Sequence, residues 1–159
     1  MKGDPRVITA LNARLVEELT AVNQYSINLA RVKNWQFDRF ADYLAERLAD
    51  EQRHYQMVID QILFLEGMPV YGQLNPVQPG QTVQQMLDFD HNSELAAMRG
   101  YNSTIALCLE VGDEVTANIL RSIIKDEAEH TNDIEARQAQ IGLTGIGQFL
   151  AVQIGGGKR

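Results

Sequence analysis

The chain has one cysteine among its 159 residues, Cys108. A lone thiol excludes an intrachain disulfide and any cysteine-based zinc site. Its neighbours Ala106, Leu107 and Leu109 mark it as a small buried hydrophobe. No apolar run is long enough to cross a bilayer, so no membrane role is expected. Positive charge is in the minority, 14 Lys and Arg against 21 Asp and Glu, and the net charge of −7 disfavours a nucleic-acid partner while suiting a protein that attracts small cations. The opening Met1-Lys2-Gly3-Asp4-Pro5 carries no apolar leader, and the expectation is a cytoplasmic protein. What is present in quantity is hydrophobic residues, 45% of the chain, enough for one domain spanning residues 1–159 with a core of its own.

Proline is also scarce, and three of the four fall in one stretch, residues 67–81, with Gly67, Gly72 and Gly80. That stretch cannot be helical. Before it, Val7, Leu11, Leu15, Leu19, Val22, Ile27 and Leu29 recur at three- and four-residue steps from Pro5 to about Lys33, which predicts a long helix. A break at Lys33-Asn34-Trp35 leads to a second helix, about 37–66, with Phe40, Leu44, Leu48, Val58, Ile62 and Leu65 on its apolar stripe. So short a connection makes the two antiparallel. Thr82 with Gln85 is a capping-box pattern for a third helix to about Val111, and Gly112-Asp113 separates it from a fourth that runs to about Ile141. Thr144 is placed to cap a short fifth helix, about 145–154, whose Phe149, Leu150 and Ile154 are expected to pack against neighbouring subunits. The intervening stretch of about 15 residues reaches roughly 50 Å when extended. A 28-residue helix is only about 42 Å long. The expected fold is therefore all-α: a four-helix bundle over about 5–141, built from two hairpins and one long crossover.

The chemistry lies in a repeat. Glu51 and His54 form one Glu-x-x-His, Glu127 and His130 another, 76 residues on, and Glu18 and Glu94 stand at the same offset. Tyr25 with Tyr101 and Asp50 with Asp126 keep the register. Residues three apart on a helix project from neighbouring directions, so each pair can offer one oxygen and one nitrogen to a single ion. Glu18, beside the positions 15, 19 and 22, borders the buried stripe, and a carboxylate sinks into a core only when protonated, paired or metal-bound. Tyr25 reads either as a hydrogen-bond donor to one of these carboxylates or as an aromatic core residue with a satisfied hydroxyl, and Tyr101 carries the same two readings. Asp50 and Asp126 point about 100° from the glutamates beside them, toward a His ring nitrogen or a cation path. His91 has no partner at the offset, where Leu15 stands, and reads as structural or superficial.

One Glu from each of two helices and a Glu-x-x-His from each of two others resembles the site of ferritin-like di-iron and di-manganese proteins. Four carboxylates and two imidazoles with no thiolate suit iron or manganese. By the roles such ligands have, Glu51 and Glu127 bridge the two ions, Glu18 and Glu94 are terminal, and each His binds one ion.

The opening Met1-Lys2-Gly3-Asp4, Asn23-Gln24-Tyr25, Ile62-Leu63-Phe64-Leu65-Glu66-Gly67 with Pro69, and Asp126-Glu127 with His130 resemble the bacterioferritin family along the whole chain. The resemblance implies a hollow shell of twenty-four subunits. Each carries a di-iron ferroxidase centre at Glu18, Glu51, His54, Glu94, Glu127 and His130, where Fe(II) is oxidised by O2 or H2O2 before storage as ferric oxyhydroxide. Positions matching the family's inner-surface iron ligands read Glu46, where His is more familiar, and Asp50, an accessory site by resemblance, and a reducing ferredoxin is implied as a partner. The resemblance also implies haem b between two subunits, held by a Met where this chain has Gln52. A neutral amide is a poor haem-iron ligand, and Met57 points about 140° away from that position. The expectation is a haem-free subunit, or one that shares a mixed shell with a haem-binding sister. The rival class is another di-iron or di-manganese enzyme, a rubrerythrin-like peroxidase or a manganese catalase, although one cysteine cannot build a rubrerythrin's added iron site.

Overall fold

The computed structural model describes residues 2–156, and among them the chain forms helices α1 (Pro5–Asn34), α2 (Asp38–Phe64), α3 (Val83–Glu110), α4 (Glu114–Thr144) and α5 (Ile146–Ala151), with no strand. Each long helix starts where local chemistry favours it, except α2, which has no side-chain cap. Asp4 accepts the Arg6 N–H at 2.8 Å ahead of Pro5, and Asp113 accepts the Thr116 N–H at 3.0 Å ahead of α4. Thr82 accepts the Gln85 N–H at 3.2 Å, as a capping box requires, but the returning Gln85 side chain accepts from the Gln81 N–H, one residue earlier than the motif places it.

The two hairpin turns have the same construction. At the end of α1, Gln36 (φ 61) bonds back to Lys33 O and Phe37 to Val32 O; at the end of α3, Gly112 (φ 76) bonds to Leu109 O and Asp113 to Cys108 O. Both are left-handed caps of the Schellman type. The end of α2 repeats it, with Glu66 (φ 59) in the left-handed position rather than Gly67. Gly67 answers a different need, since a Cβ there would meet Ile8 Cγ2 at 2.8 Å.

The crossover runs alongside α1. Asn12 donates to Met68 O and accepts from Val70 N–H, Gln24 accepts from Gln78 N–H at 3.1 Å, and Arg31 donates to Gly80 O. Residues 12 to 31 of a helix span about 28 Å, a distance that eleven or so extended residues cover. The long glycine- and proline-rich stretch is thus a strap that returns the chain to the far end of the bundle.

Two apolar clusters fill the ends. Leu11, Leu15, Val58, Ile62, Cys108, Leu120 and Ile123 pack at one, and Val32, Phe40, Leu44, Met86, Leu87, Ile134 and Phe149 at the other. Cys108 is fully buried, as its neighbours suggested. The polar residues of the repeat lie between the clusters.

Three local expectations are corrected. The buried face of α1 is Val7, Leu11, Leu15, Glu18, Gln24, Tyr25, Asn28 and Val32, while Leu19 and Val22 are half-buried and Ile27 is 41% exposed. Polar residues take core positions beside the site, so the apolar pattern drifts off the true face. Thr144 does not cap α5; it lies in α4, where its hydroxyl donates to Gln140 O, and Gly145 occupies the cap position. Helix α5 is only six residues long, and Phe149 packs within its own chain, edge-on against Phe40 at 6.4 Å.

Candidate metal centre

All six residues singled out by the repeat meet midway along the bundle. Ligand atoms of Glu18, Glu51, His54 and Glu127 lie within 4.8 Å of one another, and so do those of Glu51, Glu94, Glu127 and His130. Glu51 and Glu127 belong to both groups. Each of the six is at most 4% exposed. Such burial of four carboxylates is costly without compensating positive charge. The Nδ1 atoms of both histidines, both oxygens of Glu127, and one oxygen each of Glu18 and Glu51 lack a hydrogen-bond partner. Unpartnered buried polar atoms that converge are what a cation site looks like before its ions are counted.

The helices supply these groups in a two-fold pattern. Tyr25 on α1 donates to Glu94 on α3 at 2.8 Å, and Tyr101 on α3 donates to Glu18 on α1. His54 Nε2 lies 3.2 Å from Asp126 Oδ2, and His130 Nε2 lies 3.3 Å from Asp50 Oδ2. The 76-residue offset therefore appears in space as an exchange of halves, with each half's tyrosine and aspartate serving the other half's glutamate and histidine. The imidazoles face each other across the axis, 5.9 Å apart and 27° from parallel. Tyr25 and Tyr101 thus bond to carboxylates of the cluster across the bundle while packing in the two apolar clusters, and Asp126 and Asp50 lie at the outward ring nitrogens. With Nε2–H turned to an aspartate, each Nδ1 faces the cluster, where its lone pair becomes available to a cation once its proton leaves.

Electrostatics reports the same unmet charge. Burial, reinforced by the charge on Glu127, pushes the Glu18 carboxyl up to about 7 and that of Glu94 up to about 8. Burial and the charges of Glu127 and Glu94 raise Glu51 well above the ordinary range. Burial opposes charge on His130, yet the facing Glu127, Glu51 and Glu94 carry it up to about 12. His54 is raised in the same way, chiefly by Glu127. Glu127 is held well below the carboxylate range because His130 and His54 outweigh its burial. Without cations, protons supply the compensation that two divalent ions would give.

A cavity of about 250 Å³ opens between α1 and α3 beneath Asn75 and Pro76 of the strap. Glu17, Glu18, Glu51, Asp90 and Glu94 are among its lining residues, so its polar lining is rich in carboxyls. Asp90 escaped the sequence reading, as did Gln24 in the role it has here. The Gln24 amide donates to Asp90 Oδ1 at 2.7 Å, and burial pushes the Asp90 carboxyl up to about 7. No periodicity signals them, because neither has a counterpart at the offset: Gly100 stands opposite Gln24 and Arg14 opposite Asp90.

Glu46, Asp50, His91, Gln52 and Met57 stand outside the two ligand groups. Asp50 is engaged by Arg53 at 2.7 Å and Arg47 at 3.2 Å, Glu46 is exposed on α2, and neither acid joins the converging ligand groups. His91 pairs with Glu135 at 3.0 Å, away from the centre. Gln52 is exposed on α2, and Met57 is partly buried against the cluster that contains Ile62. None of the described helices is long and apolar enough to cross a membrane.

The ferritin-like domain family matches residues 8–143. The chain is 35% identical to the bacterioferritin of Mycobacterium leprae over 145 residues, 91% of each chain. It is 37% identical to that of Rhodobacter capsulatus over 137 residues, 86% of this chain and 85% of that one. It is 33% identical to that of Brucella melitensis over 154 residues, 95% of this chain and 96% of the relative. With a carboxylate and imidazole cluster at the middle of four helices and likeness running through nearly all of both sequences, the chain belongs to the bacterioferritin family.

Proposed function

We propose that this chain is an iron-storage protein and a ferroxidase: Fe(II) is oxidised to Fe(III) at the six-residue centre, with O2 or H2O2 as oxidant, and deposited as ferric mineral inside a shell of twenty-four subunits. The observation that carries the reading is the pair of overlapping ligand groups with Glu51 and Glu127 in common. A carboxylate shared by two groups is suited to bridge two ions, leaving Glu18 and His54 to one and Glu94 and His130 to the other. Two ferrous ions held together give one electron each, the pair that reduction of O2 to H2O2, or of H2O2 to water, consumes.

The remaining chemistry belongs to the chain. Four carboxylates in a buried setting favour the more highly charged ferric product over the ferrous substrate. Tyr25 and Tyr101 fix the terminal glutamates, and Asp126 and Asp50 fix the tautomers of His54 and His130. Protons held by Glu18, Glu51 and Glu94 must leave as cations enter. Carboxyls line the cavity between α1 and α3, and as they give up their protons it attracts cations and not anions toward the centre.

We further propose that the subunit takes no haem of its own through α2, because its exposed Gln52 offers only a neutral amide. A mixed shell with a haem-binding sister accommodates this, and a reducing ferredoxin is a candidate for the release of stored iron. An accessory cation at Glu46 and Asp50 would have to displace Arg47 and Arg53 from Asp50.

Stopped-flow Fe(II) titration with each oxidant, joined to the mass of the assembly, tests the proposal. Fast oxidation saturating at two Fe(II) per subunit in a particle of twenty-four is the expected result. Slow oxidation with no break at two, or a monomer by light scattering, rejects it. Stoichiometric haem absorbance in the purified homo-oligomer rejects the haem-free assignment alone.

A further inference from the structure

On the α2/α4 face of the centre a single guanidinium joins the two halves. Arg53 donates through one amino group to Asp50 Oδ1 at 2.7 Å and through the other to Asp126 Oδ2 at 3.1 Å. These are the two aspartates that face the outward nitrogens of His130 and His54, and Asp126 uses the same oxygen for both contacts. The arginine has no duplicate. The position at the 76-residue offset is Glu129, an exposed residue paired with Lys125. One planar fork with five donors serves the two aspartates from separate amino groups in a fixed geometry, which a compact ammonium on a flexible stem does not impose.

The geometry points to Arg53 as a positioning residue that orients both imidazoles through Asp50 and Asp126, and acts more strongly on His54 than on His130. The asymmetry follows from Arg47. Its guanidinium also pairs with Asp50, at 3.2 Å, so Asp50 keeps a cationic partner when Arg53 is removed. No second arginine pairs with Asp126 among the described residues. Without Arg53, the Asp126 carboxylate is free to turn to solvent and His54 loses its fixed tautomer. Arg53 is half exposed, and an exposed ion pair adds little stability in itself. Its effect is expected in metal affinity, where losing a partner of a liganding histidine costs roughly 10 to 100-fold.

This inference rests on the two-ion reading of the centre, and Co(II) binding to the assembled, iron-free protein separates the two. The wild-type protein should bind two Co(II) per subunit with the absorption bands of nitrogen- and oxygen-ligated cobalt. In Arg53→Gln one equivalent should weaken by about tenfold or more, and the other by less than about threefold. Asp126→Asn should weaken one equivalent in the same way, and adding Arg53→Gln to it should cause no further loss there, since both changes remove one interaction. Equal weakening of both equivalents, additive losses in the double variant, or an Arg53→Gln titration identical to wild type overturns the role of Arg53 while leaving the two-ion reading intact. Failure of the wild type to bind two Co(II) removes both.

Discussion

The first hairpin, α1 with α2, and the second, α3 with α4, share every group that touches the centre, yet differ in what surrounds it. Beside the Tyr25 to Glu94 bond lie Gln24, a buried Asn28 and a buried Asp90. At the equivalent positions around the Tyr101 to Glu18 bond the chain has Gly100, Thr104 and Arg14, with the arginine so close that a Cβ on Gly100 would collide with it. The ligand set shows no such divergence, because each of the two overlapping groups is built from the same kinds of donor. Access does. An acid on one side of the α1/α3 seam and a guanidinium on the other polarise the seam, and Asp90 is the one that lines the cavity. A two-fold cluster thus borders a one-sided cavity.

The shared glutamates provide the sharpest way to break this picture. Glu127→Ala removes donors from both groups, and fast Fe(II) oxidation should fall by more than about 100-fold, since loss of even an outer partner of a metal ligand costs roughly 10 to 100. His54→Ala should also abolish the fast phase while the assembly survives. Unchanged stopped-flow rates in both variants would reject the site.

Next in size is a pH effect whose sign follows from the raised carboxyls. Glu18 and Glu94 hold protons in the folded chain up to about 7 and 8, whereas the unfolded chain releases them near 4.5. Their contribution is therefore complete below about 4.5 and is lost as pH rises through 7 to 8. The raised His130 acts in the same direction above 6.5. Metal-free protein should lose stability between pH 6 and 8.5, on the order of 1 kcal/mol per pH unit for each proton released. Excess Co(II) should reverse the trend, because metal binding strengthens as protons leave. A melting temperature that is flat or rising with pH in the metal-free protein contradicts the charge balance described above.

The sequence made the fold and the ligands legible for one reason: a two-fold site leaves two copies of each signal. A lone Glu-x-x-His is common in helices, but Glu18, Glu51 and His54 repeated at one offset as Glu94, Glu127 and His130 are not, and the structure brings all six together. What had no copy stayed hidden. Arg53 and Asp90 look like ordinary helical charges in the sequence, and only their contacts with Asp50, Asp126 and Gln24 set them apart. The face of α1 was misplaced for a related reason. Gln24 is buried by its hydrogen bonds to Asp90 and to the strap, and Asn28 is buried one turn on, while Leu19 and Val22 are only half-buried, so hydrophobicity alone points the wrong way.

The tyrosines test whether the halves are equivalent where they bond. Tyr25→Phe and Tyr101→Phe each leave a buried glutamate oxygen without its donor, at about 1 to 3 kcal/mol in stability. Only Tyr25 lines the cavity. Chemical denaturation should show similar losses for the two variants, while the Fe(II) concentration for half-maximal oxidation should rise only for Tyr25→Phe. Equal shifts in both would show that entry does not favour one side.

The smallest effect lies at the hairpin turns, where Gln36 and Gly112 hold equivalent positions at the 76-residue offset and both are left-handed, at φ 61 and 76. Both make the same pair of bonds back to the helix, so the backbone requirement is the same and only the side chain differs. A non-glycine residue there costs about 1 to 2 kcal/mol of left-handed strain, partly offset by the extra entropy that glycine loses on folding, roughly 0.5 to 1 kcal/mol. Gln36→Gly should therefore stabilise the protein by about 0.5 kcal/mol, and Gly112→Gln should destabilise it by a similar amount, both measured by denaturation of the assembled protein at fixed pH. Because the two substitutions exchange equivalent residues between the halves, the double variant should return close to wild-type stability; a double variant far from it would mean that the turns differ in more than their side chains.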